Sequence, residues 1–187
     1  MQQLLKVWLL LIAVCLTWTT PTHAADAQSF PAQQAFAGQN LVLNGMGVRP
    51  KLFLKLYYAG LYLPAKSKDA QAILTARTPV AIRLQINSSM ITSADMEEAV
   101  RHGFTQSAGD KAAALKPRID QLVAIFKEAI QVGDLYDLVY VNGSTQVFKN
   151  GRKSATIAGD DFKQALFGIW LGNSPVHSGL KQQLLKG

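Results

Sequence analysis

Two Asn-Gly pairs, Asn142-Gly143 and Asn150-Gly151, restrict the fold of this chain more than any other feature of its sequence. Asparagine followed by glycine is typical of two-residue β-hairpin turns, because both residues accept positive φ angles. Residues Leu135–Val141, 145–149 and 153–157 flank the two pairs and have the length and residue types of strands. We therefore predict a three-stranded antiparallel meander in this part of the chain.

Further strands are predicted in the first half of the chain. Residues 40–43, 51–63 and Val80–Ile86 are rich in β-forming and aliphatic side chains. A short helix is predicted at residues 69–75, between the last two strands. Gly45-Met46-Gly47 favours a turn or bulge rather than a phosphate-binding loop, because no third glycine and no helix follow it.

Two helices are predicted in the middle of the chain. Thr92 or Ser93 can cap the first, whose apolar residues recur at the spacing of one helical face. Pro117 stands near the first turn of the second, where proline is tolerated. Both apolar faces are expected to pack on the sheet. The face of the second helix consists of Ile119, Leu122, Val123, Phe126 and Ile130.

The C-terminal part of the chain is also predicted to be helical. Asp160 or Asp161 can cap a helix at residues 162–171 that ends at Gly172, and a short helix follows at about residues 178–185. Runs of strands and runs of helices in this order predict the α+β class, with helices packed against an antiparallel sheet. No linker or internal repeat divides the chain, so one domain is expected.

Residues 1–24 have the pattern of a secretory signal peptide. Lys6 precedes an uncharged run at residues 7–18, and Thr22-His23-Ala24 offers the small residues that a signal peptidase reads. A membrane anchor is the alternative, but the run is shorter than the ~20 residues that span a bilayer. We expect cleavage after Ala24, a single domain at residues 25–187, and a periplasmic or secreted protein without stable membrane insertion.

The composition argues against several kinds of site. Cys15 is the only cysteine and lies within the predicted signal peptide, so neither disulfides nor thiolate chemistry are expected. His102 and His177 lack metal-ligand spacing, and we expect no metal and no cofactor. The formal charge of +7 comes from scattered Lys and Arg residues without interleaved aromatic residues. This pattern predicts a soluble basic surface and no nucleic-acid partner.

Arg49 has the most apolar setting of any cation in the chain, between Gly-rich backbone and the apolar run at residues 52–63. A guanidinium can hold a carboxylate or an enolate through two parallel hydrogen bonds. Tyr57, Tyr58 or Tyr62, on the strand that follows, can add a phenolic donor. In the alternative interpretation, Arg49 only pairs with a protein carboxylate at the sheet edge.

Residues 43–64, together with residues 162–172 and the following Pro175 and Leu180, resemble the chalcone isomerase fold family, specifically its bacterial chalcone isomerase-like branch. The similarity spans nearly the whole chain after the predicted signal peptide, with matching element types in the same order. The resemblance implies an open-faced β-sandwich, in which a large antiparallel sheet carries helices over one face. It also implies a ligand cleft between the sheet and the helices.

The resemblance also implies roles for individual residues. Plant chalcone isomerases close a flavanone ring, and the arginine of their Gly-Val-Arg motif, which matches Arg49, holds oxygens of the substrate. The family's other polar positions fall at Tyr57, near Thr92, near Ala99 and at Ile169. Four of these five positions have lost the family's functional group, which argues against ring-closing activity.

The fatty-acid-binding branch of this fold pairs the same arginine with a tyrosine on the next strand. Tyr57 matches that tyrosine, and Tyr58 or Tyr62 replaces it if the register differs by a residue. An apolar cleft with one cation suits a ligand with an anionic head and a hydrocarbon body. The predicted ligand-binding residues are Arg49, Tyr57, Tyr58, Tyr62, Thr92, Ala99 and Ile169.

Three functional hypotheses follow. The first is a non-catalytic periplasmic or secreted protein that binds a fatty acid or another small apolar anion. The second is an isomerase of the chalcone isomerase type, acting on a flavonoid-like ligand through Arg49 and a tyrosine. The third is a structural or protein-interaction domain with a closed cleft, in which Arg49 forms an internal ion pair.

Overall fold

The computed structural model describes residues 30–187. Within them, seven strands form one sheet in which every strand is antiparallel to its neighbour and follows it in chain order. The predicted signal peptide, with Cys15 and His23, lies outside the described residues. The strands are β1 (Gln33–Phe36), β2 (Gln39–Lys51), β3 (Leu54–Leu63), β4 (Val80–Ile86), β5 (Leu135–Val141), β6 (Ser144–Lys149) and β7 (Arg152–Ala158).

Helices pack against one face of this sheet, where their apolar side chains share a core with inward-facing strand residues. The predicted α+β class, an antiparallel sheet covered by helices on one face, is confirmed. No helix within residues 30–187 is both long enough and apolar enough to cross a membrane. The helices are α1 (Ala70–Thr75), α2 (Ser93–Ala108), α3 (Ala112–Ile125), α4 (Asp160–Leu171) and α5 (Ser178–Leu184), and a 3₁₀ turn at Gly109–Lys111 joins α2 to α3.

The two Asn-Gly pairs form the predicted turns of the C-terminal meander. Asn142 and Asn150 have φ angles of 51°, and the glycines that follow them have φ angles of 76° and 80°. Positive φ at both central residues matches the right-handed twist of the flanking strands. Strands β5, β6 and β7 therefore pair in sequence, as expected.

The N-terminal strands differ from the prediction. β1 was not predicted, and β2 continues to Lys51 instead of ending at Leu43. The pairing of β2 with β3 shifts at Asn44, which places a bulge next to the predicted turn or bulge at Gly45-Met46-Gly47. The Asn44 amide donates to the carbonyl oxygens of Ser67 and Leu184, at 2.9 and 2.8 Å. These distant partners stabilise the bulge and let the strand continue.

Two helix starts also differ from the prediction. Pro117 lies inside α3, which begins at Ala112, and the predicted stripe residue Ile130 lies beyond the end of that helix. Gly159 occupies the N-terminal flank of α4 and provides no side-chain cap. Asp160 instead accepts a hydrogen bond from a tyrosine hydroxyl, and Asp161 forms an ion pair with an arginine. The two aspartates are therefore the first residues of α4 rather than its cap.

Side chains of β3 alternate between two hydrophobic clusters. Tyr57 and Leu61 face the helices and belong to the main core. Tyr62 belongs to a smaller cluster with Phe36 on the other face of the sheet, and Tyr58 packs against that cluster. Because side chains alternate along a strand, the register of β3 decides which tyrosine can reach the space under the helices.

Candidate ligand-binding site

An apolar cavity of about 140 Å³ lies between the sheet and helices α2, α3 and α4. Lys51, Asp95 and Ala99 contribute to its lining and are exposed, so they mark the side on which the cavity opens. The remaining lining is mostly aliphatic and aromatic. The lining residues are Arg49, Lys51, Leu56, Tyr57, Leu84, Ile91, Asp95, Met96, Ala99, Val100, Leu122, Phe126, Leu138, Leu166, Ile169, Trp170 and Val176.

Arg49 and Tyr57 lie opposite each other on β2 and β3, and both line this cavity. Directly paired residues of an antiparallel ladder project to the same face of the sheet, here the face under the helices. Arg49 is half-buried, and no ion pair or side-chain hydrogen bond joins it to another residue in the described part of the chain. Within residues 30–187, Arg49 therefore does not form the internal ion pair that was its alternative interpretation.

Tyr57 is held by Trp170, which sequence reasoning missed. The Trp170 indole Nε1 donates a hydrogen bond of 3.1 Å to the Tyr57 hydroxyl oxygen, and both side chains are buried. Since an indole N–H can only donate, the tyrosine must accept here, and its own hydrogen is directed elsewhere. The one signal in the sequence was a tryptophan on the apolar face of α4, whose N–H needs a partner when buried.

Burial raises the pKa of Tyr57, although the Arg49 charge and the hydrogen bond from Trp170 act in the opposite direction. Tyr57 is therefore a neutral phenol at physiological pH. Within residues 30–187, no acceptor is found for its hydroxyl hydrogen. A neutral O–H donor thus lines the same cavity as the Arg49 guanidinium.

The structure separates the remaining predicted site residues into two groups. Ala99 and Ile169 line the cavity with Arg49 and Tyr57. Tyr58 and Tyr62 lie on the other face of the sheet, where the Tyr62 hydroxyl donates to the carbonyl oxygen of Pro31 at 3.2 Å. A slip in register that would bring either of them under the helices is not observed.

The third residue outside the cavity lining is Thr92, which forms the capping box of α2 with Asp95. The Thr92 hydroxyl donates to the Asp95 carboxylate at 2.5 Å, and this hydrogen bond holds the pKa of Asp95 below its usual range. Asp95 is therefore an anion at the opening of the cavity, close enough to Lys51 to be influenced by its charge. Of the two caps predicted from sequence, Thr92 and Ser93, the structure has Thr92 as the cap and Ser93 as the first residue of α2.

Gly45 and Gly47 serve helix packing instead of ligand binding. A Cβ atom on Gly45 would overlap the backbone of Gln183 and Leu184, and one on Gly47 would overlap the Gln183 side chain. The Gln183 side-chain oxygen in turn accepts a hydrogen bond of 3.2 Å from the Val48 backbone N–H. The glycines thus allow α5 to lie directly on β2, immediately before Arg49.

An outer hollow of about 260 Å³ adjoins the cavity and shares Arg49, Ile169 and Val176 with it. His102 and Ser174 contribute polar atoms to this hollow. The Arg49 guanidinium therefore stands at the boundary between an apolar interior and a more polar surface depression. A ligand whose anionic head lies at Arg49 can direct a hydrocarbon tail into the interior.

A family model described as chalcone isomerase-like matches residues 23–186. The chain belongs to the chalcone isomerase-like family. Among solved structures, this chalcone isomerase-like protein is similar to the crystal structure of a fatty-acid binding protein of Arabidopsis thaliana, with a TM-score of 0.67 and 16% sequence identity. The match covers 83% of this chain and 90% of the Arabidopsis chain, and it supports the same fold. No curated protein sequence matched the chain.

Proposed function

We propose that this chalcone isomerase-like protein binds a fatty acid or a similar single-chain carboxylate without converting it. One observation carries the proposal: Arg49, without a carboxylate partner in the described residues, lies across the ladder from a tyrosine whose oxygen already accepts a hydrogen bond. The Arabidopsis structure named as a fatty-acid binding protein supports this proposal through the shared fold.

The head group is expected to meet three donors. The guanidinium of Arg49 offers two parallel N–H groups, and Tyr57 offers its O–H. The hydrogen of this O–H points away from Trp170, because the indole N–H donates to the hydroxyl oxygen. A carboxylate has two oxygens with about four acceptor sites, so it can accept all three hydrogen bonds. An ester or an alcohol lacks the charge that makes these hydrogen bonds strong.

The hydrocarbon tail is expected to lie along the apolar lining, between the sheet and α2 to α4. Leu84 and Leu138 form part of the floor, while Met96, Phe126 and Leu166 come from the helical side. These side chains offer apolar contacts but no group that could polarise a ligand carbonyl. Polar groups concentrate at the Arg49 end, which fixes the direction of the ligand.

Absence of catalysis is part of the proposal. Ring closure of a chalcone requires hydrogen-bonding groups at several positions of the substrate, and the matching positions at Ala99 and Ile169 line the cavity with apolar side chains. Arg49 and Tyr57 alone can hold an anion, but they provide no second polar cluster at the other end of the cavity. The closed-cleft hypothesis is disfavoured by the cavity itself.

We also propose that residues 1–24 direct export and that residues 25–187 act in the periplasm or outside the cell. The sequence pattern of residues 1–24 supports this proposal. Mass spectrometry of the protein recovered from the periplasmic fraction tests it. The expected mass is that of a chain beginning at Ala25, and recovery of the uncut chain from the cytoplasm would contradict it.

Calorimetric titration of the purified protein with palmitate, its methyl ester and hexadecanol tests the binding proposal. The three ligands share a hydrocarbon tail and differ in the head group, so the acid is expected to bind more tightly than either neutral ligand. Equal affinity for all three would contradict anchoring by a cation. Incubation with a hydroxychalcone is the second arm, and ring closure faster than the spontaneous reaction would favour the isomerase hypothesis instead.

A further inference from the structure

Large exposed apolar side chains in residues 30–187 occur at one end of the sheet only. At this end β2 and β4 finish, and β3 and β5 begin, because neighbouring strands are antiparallel. The backbone of residues 87–88 bonds to β3 at Leu56, which places Met90 beside the β2–β3 hairpin. The exposed residues are Leu52, Phe53, Leu54, Met90 and Val132.

The tip of the β2–β3 hairpin is built differently from the other hairpin tips. Leu52 and Phe53 form the turn and are 88% and 102% exposed, whereas Asn-Gly pairs form the turns of the C-terminal meander. Leu52 has a φ angle of 55°, which is unfavourable for a leucine and ordinary for glycine or asparagine. This turn therefore bears a conformational cost and a solvation cost, neither of which folding requires.

Two lysines flank this tip. Lys51 and Lys55 are exposed, and neither forms an ion pair with a carboxylate in the described residues, although Asp95 lies close enough to Lys51 for the two charges to interact. Apolar side chains between cations match a bilayer surface, where the apolar groups enter the interface and the cations meet anionic head groups. The tip is also continuous with the ligand site, because Lys51 and Leu56 line the cavity.

We propose that the hairpin tip at residues 51–55, together with Met90, docks on an anionic lipid bilayer. Leu52 and Phe53 enter the interface, and Lys51 and Lys55 contact the acidic head groups. Docking places the opening of the cavity at the membrane surface, where fatty acids partition. The docking itself is independent of the proposed function, whereas exchange of a ligand with the bilayer rests on it.

A local fluorescence probe in the full chain tests the docking. Cys15 is replaced by serine, and Phe53→Cys is labelled with an environment-sensitive fluorophore. The matched control carries the same label at Ala65→Cys, an exposed position just beyond the end of β3, at the opposite end of the sheet. Vesicles contain phosphatidylcholine alone or phosphatidylcholine with phosphatidylglycerol. The local readout separates docking of the tip from any membrane contact of residues 1–24.

The expected result is a fluorescence increase at position 53, only with vesicles that contain phosphatidylglycerol, and none at position 65. Replacing Lys51 and Lys55 with glutamine should weaken this binding by roughly fivefold per lysine. Unchanged fluorescence at position 53 with both kinds of vesicle would overturn the proposal. The exposed tip would then be better explained as a contact site for another protein. Equal increases at both positions would overturn it as well.

A second variant separates the two proposals. L52G/F53N places glycine at position 52, where φ is positive, and a polar residue at position 53, so the variant should fold at least as well as the wild type. Vesicle sedimentation compares the full wild-type chain with the full variant chain. Only the tip differs between them, so any membrane contact of residues 1–24 is the same in both. We expect the part of vesicle binding that depends on phosphatidylglycerol to be at least about tenfold weaker, and palmitate affinity in solution to be unchanged. Unchanged vesicle binding of the variant would contradict docking. A wild type that docks on vesicles but does not bind palmitate would contradict only the proposed function.

Discussion

The indole Nε1 of Trp170 lies 3.1 Å from the hydroxyl oxygen of Tyr57, and this hydrogen bond determines where the tyrosine can donate. Trp170 belongs to α4 and Tyr57 to β3, so the contact also joins the helical layer to the sheet inside the cavity. An isolated tyrosine can rotate its hydroxyl freely, but this one is held as an acceptor on one side. Trp170 is therefore a positioning residue for the head group of the ligand.

Trp170→Phe keeps an aromatic ring in the cavity and removes the N–H donor. We expect palmitate affinity to fall by roughly two- to tenfold, which corresponds to one net hydrogen bond. In a Tyr57→Phe background the same change should have no further effect, because no hydroxyl is left to orient. Calorimetry of the four chains measures this coupling, and an equal loss in both backgrounds would show that Trp170 acts only through packing.

Ala99→Phe is expected to obstruct the cavity without damaging the core. Ala99 lines the cavity but is exposed, so a larger side chain can be accommodated in the unliganded protein. Palmitate affinity should fall by roughly tenfold or more, because the ring occupies space that the tail needs. Ala94→Phe, an exposed position on the same helix outside the cavity lining, is the control and should bind palmitate normally. Similar affinities of the two variants would contradict this placement of the tail.

The contact between α5 and β2 predicts a specific rescue. Gly47→Ala would clash with side-chain atoms of Gln183, whereas Gly45→Ala would clash with backbone atoms of Gln183 and Leu184. Each substitution should lower the free energy of unfolding by about 1–3 kcal/mol. Gln183→Gly should recover part of the loss from Gly47→Ala and none of the loss from Gly45→Ala. Urea denaturation of the single and double variants tests this, and equal coupling for both glycines would contradict the packing described.

Lys163 is an almost fully buried cation of α4 that holds the end of α1. Its ammonium donates to the carbonyl oxygens of Ile73, Leu74 and Ala76 at 2.5, 2.8 and 2.9 Å. These carbonyls would lose their donor in Lys163→Met, although the new side chain is apolar and suits a buried position.

We therefore expect Lys163→Met to lower the free energy of unfolding by about 3 kcal/mol, since each buried acceptor left without a donor costs about 1–3 kcal/mol. Gln164→Met, an exposed neighbour on the same helix, is the control and should change stability by less than about 0.5 kcal/mol. Urea denaturation of both variants gives the comparison. A Lys163→Met chain as stable as the control would show that the three hydrogen bonds contribute nothing net.

The parts of the fold that could be predicted from sequence depend on local chemistry. The Asn-Gly turns and the cap at Thr92 involve residues that are neighbours in the chain. The continuation of β2 through Asn44 could not be predicted, because the bulge is stabilised by hydrogen bonds to residues far away in sequence. The early start of α3 had a local signal that was overlooked, since Ala112 begins a run of three alanines, the strongest helix formers.

The site shows the same division. The family resemblance brought Arg49 and Tyr57 together, and their pairing across the ladder agrees with it. Tyr58 and Tyr62 could not be excluded from sequence, because the faces of β3 are assigned only once its register with β2 is known. Trp170 was missed for a related reason, since its partner lies 113 positions away in the chain.

The central claim is that the Arg49 charge anchors a carboxylate, and Arg49→Met tests it most directly. Methionine has an unbranched apolar side chain, like the aliphatic part of arginine, and lacks the charged guanidinium group. Calorimetric titrations of the wild type and of this variant with palmitate and its methyl ester give four affinities and one coupling value. We predict that palmitate affinity falls by roughly 10- to 100-fold, as expected for a lost charge-assisted contact, while affinity for the ester hardly changes. Equal losses for acid and ester, or no loss for the acid, would contradict the account.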